Sequence, residues 1–157
     1  MQTKYKVPDD VKRTVLGCVR GYKRRLRWYL NQRADILHGS PTRYEAYRDK
    51  DGKEGHAYQP RGTSGSNPTA SAGERLAALE QHPNVRIMRA IERALEDVGN
   101  DIVSDAERIR LRDAIMESCV EGRDFTFEYW ALPMSKDTFY NHRLRFIQSV
   151  AITLNII

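Results

Sequence analysis

The last stretch of the chain, FTFEYWALPMSKDTFYNHRLRFIQSVAITLNII from Phe125 to Ile157, constrains the fold more than any other. Pro133 interrupts it, because proline has no N–H to donate and disfavours helical geometry in the residue before it. The stretch therefore divides into a short aromatic helix, about Thr126 to Leu132, and a longer one, about Lys136 to Asn155. Ser135 can cap the second helix, and Asp137 suits the positive end of its dipole. At about 100° per residue, Phe139, Phe146, Ile147, Val150 and Leu154 form one stripe, with Asp137, Thr138, Asn141, Arg145 and Gln148 on the other side. A short helix, a turn of about three to four residues and a second helix with a polar outer face is the layout of a DNA-reading helix-turn-helix. An ordinary αα-hairpin closing a helical domain has the same layout, since surface helices are polar on one side.

The charge is unevenly spread. The net +5 of the 157-residue chain is concentrated in residues 1–38, which hold ten Lys/Arg against three Asp/Glu. Residues 39–83 and 124–157 are balanced, and residues 84–123 carry seven basic against nine acidic side chains. The basic excess lies in VKRTVLGCVRGYKRRLRWYLNQRADILHG, which runs without a strong break from Val11 to Gly39. Pro8, Asp9 and Asp10 suit its first turn. Val11, Val15, Cys18, Tyr22, Leu26, Tyr29 and Ile36 make an apolar stripe, and Arg13, Arg20, Lys23, Arg24 and Arg27 populate the rest. This predicts one long amphipathic helix over residues 1–39. Its basic face is either solvated or in contact with phosphates or a second copy of the chain. Gly17 and Gly21, four residues apart, leave room for a close-packed neighbour, at about 1 kcal/mol each in helix propensity.

Residues 40–73 are rich in Gly, Ser, Pro and charge and poor in branched apolar residues. Such a composition cannot bury enough surface to offset its ordering entropy, so a flexible linker is expected. Helical periodicity resumes at about Glu74 and breaks at Pro83. It continues from about Asn84 to Val98, with Ile87, Ile91, Leu95 and Val98 on one face and Gly99 as a stop. Ser104 and Glu107 form a capping box for a helix through about Val120, ended by Gly122. Its apolar positions include Ile109, Leu111, Ile115, Met116 and Cys119. The expected fold is thus all-α: a basic helix (1–39), a linker (40–73) and a helical domain (74–157) that ends in the helix-turn-helix.

Catalytic and cofactor chemistry is not written in this chain. His38, His56, His82 and His142 are scattered away from metal-ligand spacing, and Cys18 and Cys119 are isolated, so reduced thiols and no metal are expected. No phosphate-binding loop, dinucleotide fingerprint or nucleophile elbow occurs, and Asp49, Asp51 and Gly52 do not continue into a calcium loop. The expectation is a non-enzyme without cofactor. The mean hydropathy is −0.66, no apolar run approaches the ~20 residues that span a bilayer, and MQTKYKVPDD lacks the apolar core of a signal peptide. A cytoplasmic location is expected.

The run S-K-D-T-F-Y-N-H-R-L-R-F-I-Q-S-V-A, Ser135 to Ala151, resembles the ends of phage-encoded transcriptional regulators of the RinA and ArpU type, and so the helix-turn-helix of sigma-factor region 4. The resemblance extends to IERALEDVG, Ile91 to Gly99, and the capped helix after it. In the first helix it includes Gly21 to Arg24 and Arg33-Ala34-Asp35-Ile36-Leu37. It covers roughly two-thirds of the chain. The turn departs from the pattern in Leu132-Pro133-Met134, where a small residue or glycine is usual, and in Tyr129 and Trp130 before it. The resemblance implies a prophage activator of late or packaging genes that binds double-stranded DNA and works with bacterial RNA polymerase in the host cytoplasm, as a monomer or homodimer. The alternatives are a small-terminase-like packaging component, which would bind DNA as a ring, and a helical scaffold or adaptor that binds protein only.

In a helix-turn-helix the early residues of the second helix face base edges and its flanks meet phosphates. Ser135 and Lys136 are accordingly expected on the DNA backbone. Asp137, Thr138, Asn141 and Arg145 are expected at the bases, and Tyr140 and His142 on sugar or phosphate. Arg143 falls within the apolar stripe. It is expected to be partly buried and paired with helix-end carbonyls or with Glu117, Glu121 or Glu128, because an unpaired buried charge is costly.

Overall fold

The computed structural model of the protein describes residues 6–38, 47–48, 54–55, 68–126 and 130–157. Among these residues it is all-helical, with α1 (Asp9–Arg20), α2 (Tyr22–His38), α3 (Pro68–Glu80), α4 (Pro83–Asp97), α5 (Asp105–Glu121) and α6 (Lys136–Thr153). A two-residue antiparallel ladder, Tyr47 opposite Gly55 and Arg48 opposite Glu54, is the one extended pairing among the described residues. None of the described helices is long and apolar enough to cross a membrane. The chain forms two units, residues 1–25 with 86–157, and residues 26–85.

The first unit holds the larger core. Val11, Val15 and Val19 of α1 join Ile91 and Ala94 of α4, Leu111, Ile115 and Cys119 of α5, and Phe139, Phe146, Ile147 and Val150 of α6 in one buried cluster. Helix α1 packs on α5 and α6, and α5 packs on α6. Each large apolar side chain in such a cluster contributes roughly 1.5–3 kcal/mol relative to exposure. The expected stripe on α1 captured Val11 and Val15. It missed Val19, which is fully buried, while Cys18 and Tyr22 are only partly so.

The turn from α4 to α5 is locked by backbone geometry. Gly99 adopts φ +75°, the left-handed region that costs other residues roughly 1–2 kcal/mol. A Cβ there would also press on Arg108 Cγ at 3.2 Å. Arg112 reaches back from α5 and donates Nε–H to the Val98 carbonyl at 3.1 Å and Nη2–H to the Glu96 carbonyl at 2.6 Å. These are carbonyls that the end of α4 leaves without helical partners, and a cation suits that end of the dipole. Ser104 caps α5 by accepting from Glu107 N–H at 3.4 Å, and Gly122 ends it at φ +68°. Ile109, expected among the apolar positions of this helix, is 56% exposed; Ala114 and Ser118 are buried instead.

In the second unit Tyr29 and Leu79 are buried. The Tyr29 hydroxyl bonds to the Glu80 carboxylate, and Trp28 meets the His82 ring with centroids 4.5 Å apart.

Two expectations about the first half change. The basic N-terminal segment is two helices rather than one, separated by the single residue Gly21 at ψ −1°. The hydrogen-bond run survives the break, through Gly21 N to Gly17 O at 3.3 Å and Arg25 N to Gly21 O at 3.0 Å. No helix packs closely on the glycine pair: nothing described lies within 4 Å of a Cβ on Gly17, and the space at Gly21 is taken by Arg25. That guanidinium folds back to donate to the Cys18 carbonyl at 2.8 Å. Helix α3, for its part, begins at Pro68, ahead of Glu74. Proline suits a first helical position, and the alanines after it favour helix. Most of the expected linker (residues 40–46, 49–53 and 56–67) lies outside the described residues.

Candidate nucleic-acid interface

The segment between α5 and α6 is built on aromatic rings. Trp130 N bonds to Thr126 O at 3.3 Å. Residues 127–129 of the expected short helix, Glu128 included, lie outside the described residues. The last helical residue of this segment is Trp130, two residues short of Leu132, and Ala131 after it takes φ +48°. Leu132 is fully buried. Phe125 and Trp130 lie with ring centroids 4.8 and 5.0 Å from that of Phe139. The chain then enters α6 through Ser135, whose Oγ accepts from Thr138 N–H at 3.2 Å. The Ser135 and Thr138 hydroxyls also bond to each other at 2.8 Å.

Helix α6 is sharply two-sided. Phe139, Phe146, Ile147 and Val150 are at most 2% exposed, whereas Ser135, Lys136, Asp137, Thr138, Asn141 and Arg145 are all exposed. Six of the eight expected contact residues are thus accessible to solvent.

Two of the expected contacts face elsewhere. Tyr140 is half-buried, its hydroxyl accepting from Phe125 N–H at 3.1 Å and donating to Asp124 Oδ1 at 3.2 Å, so the phenol secures the segment after α5. His142 is 8% exposed rather than flanking the outer face. It lies against the loop after α4, where a cleft of about 360 Å³ is lined by Asp97, Gly99, Asp101, His142, Arg145 and Ser149 among others. Burial lowers the His142 pKa below the ordinary 6.5; Asp101 opposes the shift and Arg145 adds to it. A helical wheel places residues around one axis and contains no neighbouring loops, so these two positions were not separable from the outward face by spacing alone.

Arg143 is half-buried as expected, but its partners differ. Glu117 and Glu121 are engaged by Arg123, with Nε 3.8 Å and 2.8 Å from their carboxylates, and Glu117 also accepts from Trp130 Nε1 at 3.3 Å. Among the described residues no carboxylate pairs with Arg143. Its guanidinium lies 5.9 Å from the Tyr140 ring centroid, its charge bears on the Cys119 thiol, and its Nε is buried without a hydrogen-bond partner. Burial raises the Cys119 pKa, with Arg143 and Arg20 opposing the rise, so the thiol stays protonated and unreactive.

The basic residues of the first segment, Arg13, Arg20, Lys23 and Arg24 in one unit and Arg27 in the other, are all exposed. No group of three or more His, Cys, Asp or Glu able to hold a metal occurs among the described residues. No protein-family model, curated protein or solved structure matches the chain.

Proposed function

We propose that this protein is a sequence-specific DNA-binding transcriptional regulator that inserts the outward face of α6 into the major groove. The observation that carries the reading is the division of α6. An accessible set of hydrogen-bonding side chains (Asp137, Thr138, Asn141, Arg145) begins at a capped helix start, opposite a face packed solidly into the core. Asn141 offers the bidentate pattern that suits adenine, Arg145 the one that suits guanine, and Asp137 can accept from a cytosine amine or orient Arg145. Ser135 and Lys136 stand at the helix start, where backbone phosphates are met. The exposed cations of α1 and α2 supply a sequence-independent electrostatic component.

The resemblance to RinA- and ArpU-type regulators narrows the proposal to a prophage activator of late or packaging genes that works with bacterial RNA polymerase in the cytoplasm of its host. Titration of labelled duplexes at low and moderate salt tests the DNA-binding step. Binding that weakens steeply with salt and favours one sequence supports it, and absence of binding to any duplex rejects it in favour of a protein-binding adaptor. Light scattering separates a monomer or dimer from a packaging ring.

A further inference from the structure

Helix α2 carries an apolar stripe apart from the side that packs. Tyr29 is buried and bonds to Glu80 at the end of α3, and Trp28 meets the His82 ring. At about 100° per residue, Leu26, Leu37, Leu30 and Ala34 fall within an arc of about 80°. Leu30 and Leu37 are 51% and 48% exposed, Ala34 is exposed and Leu26 is half-buried. All four belong to the unit formed by residues 26–85. The stripe runs about 16 Å along the axis, at about 1.5 Å per residue. Arg33 lies beyond one edge of the arc and Arg27 beyond the other, each by about 20°, and both are exposed.

Single leucines on a surface are ordinary. A narrow apolar stripe edged by charges is the pattern of a helix-pairing seam, in which the apolar residues face the partner and the edge charges select it. The charges decide between occupants. A second copy of α2 would set Arg27 and Arg33 against arginines. A lipid surface takes a wider apolar face with aromatic residues on it, and Trp28 is engaged with His82. A phosphate backbone would engage the arginines and leave the leucines in water. A helix whose apolar face is edged by Asp or Glu satisfies both. We propose that Leu26, Leu30, Ala34 and Leu37 dock an acidic amphipathic helix of a partner protein, with Arg27 and Arg33 meeting its carboxylates at the two edges. The proposal does not rest on the DNA-binding reading above.

The experiment titrates the full chain into a labelled synthetic helix of about three heptads, with leucine along the seam and glutamate at both edges, and into the same helix with lysine at the edges. Saturable binding of the glutamate helix and none of the lysine helix is expected. Leu30→Gln combined with Leu37→Gln should weaken that binding about tenfold or more, and thermal melting checks that the variant is folded. Arg27→Glu combined with Arg33→Glu should reverse the preference in favour of the lysine helix, and it carries the test if the leucine variant does not fold. No binding of the glutamate helix, or binding indifferent to both variants, overturns the proposal. A wild-type dimer in light scattering that the leucine substitutions disperse also overturns it, and gives the stripe to a second copy. Binding to phosphatidylglycerol vesicles in place of the glutamate helix overturns it in favour of a membrane surface.

Discussion

Trp130 lies nearly flat on Phe139, with ring planes inclined by 20° and centroids 5.0 Å apart. Phe125 closes a second side of Phe139 at 4.8 Å, and the indole N–H is satisfied by Glu117 of α5. This stack ties the segment after α5 to the first turn of α6. Phe139→Ala should cost about 3–5 kcal/mol, as expected for deleting a fully buried aromatic ring. In a double-mutant cycle with Trp130→Ala, a coupling of about 0.5–1.5 kcal/mol is expected. Urea melts measure both. Additive single-mutant effects would mean that the stack does not hold the turn.

Among the described residues of this turn, Ala131 is the one non-glycine residue with a left-handed φ, at +48°. Glycine reaches that region without the roughly 1–2 kcal/mol that a Cβ costs, but loses about 0.5–1 kcal/mol in chain entropy on folding. Ala131→Gly should therefore stabilise by up to about 1 kcal/mol, read as a rise in Tm. A fall in Tm would show that the alanine methyl makes packing contacts worth more than the strain.

Gly99 presents the reverse case. Its φ of +75° combines with a Cβ position 3.2 Å from Arg108 Cγ and 3.4 Å from Ile102 Cδ1 and Leu111 Cδ2. Gly99→Ala should destabilise by at least the left-handed cost of about 1–2 kcal/mol, and it should loosen the cleft that Gly99 lines. Equilibrium denaturation checks the first effect. A neutral substitution would place the turn in a different backbone conformation.

Much of this arrangement is legible in the sequence because local chemistry decides it. Ser135 and Ser104 are caps, Gly99 and Gly122 are left-handed stops, and the buried face of α6 follows from its 3.6-residue period. What was not legible depends on segments distant in sequence. His142 is buried by the loop after α4, and Tyr140 is held by Asp124. Arg143 loses Glu117 and Glu121 to Arg123, a competition that spacing cannot reveal. At Gly21 the space beside the backbone is filled by Arg25, which folds back to the Cys18 carbonyl.

His142 makes stability depend on pH. Its folded-state pKa lies below the ordinary 6.5 because burial disfavours the imidazolium; Asp101 partly offsets this and Arg145 reinforces it. Asp97 and Asp101 in the loop after α4, and Arg145 on α6, are the charged groups that line the cleft with it. The unfolded chain takes up the proton first as pH falls. The contribution of His142 is therefore complete above the unfolded value and is lost as pH drops through 6.5 towards the lower folded value. Melting wild type and His142→Gln from about pH 7 to about pH 5 should show a steeper fall in Tm for the wild type. Parallel curves would mean that the imidazole is as free to protonate in the folded protein as in the unfolded chain.

The outward face of α6 yields the most direct test of function. Asn141 and Lys136 are both exposed, so replacing either should change stability by no more than about 0.5 kcal/mol. Their effects on DNA should differ in kind. Asn141 can pair with one base edge, so Asn141→Ala should cost about 1–3 kcal/mol on the preferred duplex and relax selectivity at a single base pair, with the salt slope retained. Under the DNA-binding proposal Lys136 meets phosphate, so Lys136→Ala should weaken all duplexes alike and flatten the slope by about one unit. Competition titrations against a set of single-base variants of the operator, repeated at two salt concentrations, separate the two signatures. Should both variants bind operator and random duplex as the wild type does, α6 is not the reading helix. The exposed cations Arg13, Arg20, Lys23 and Arg24 would then become the contact to replace next.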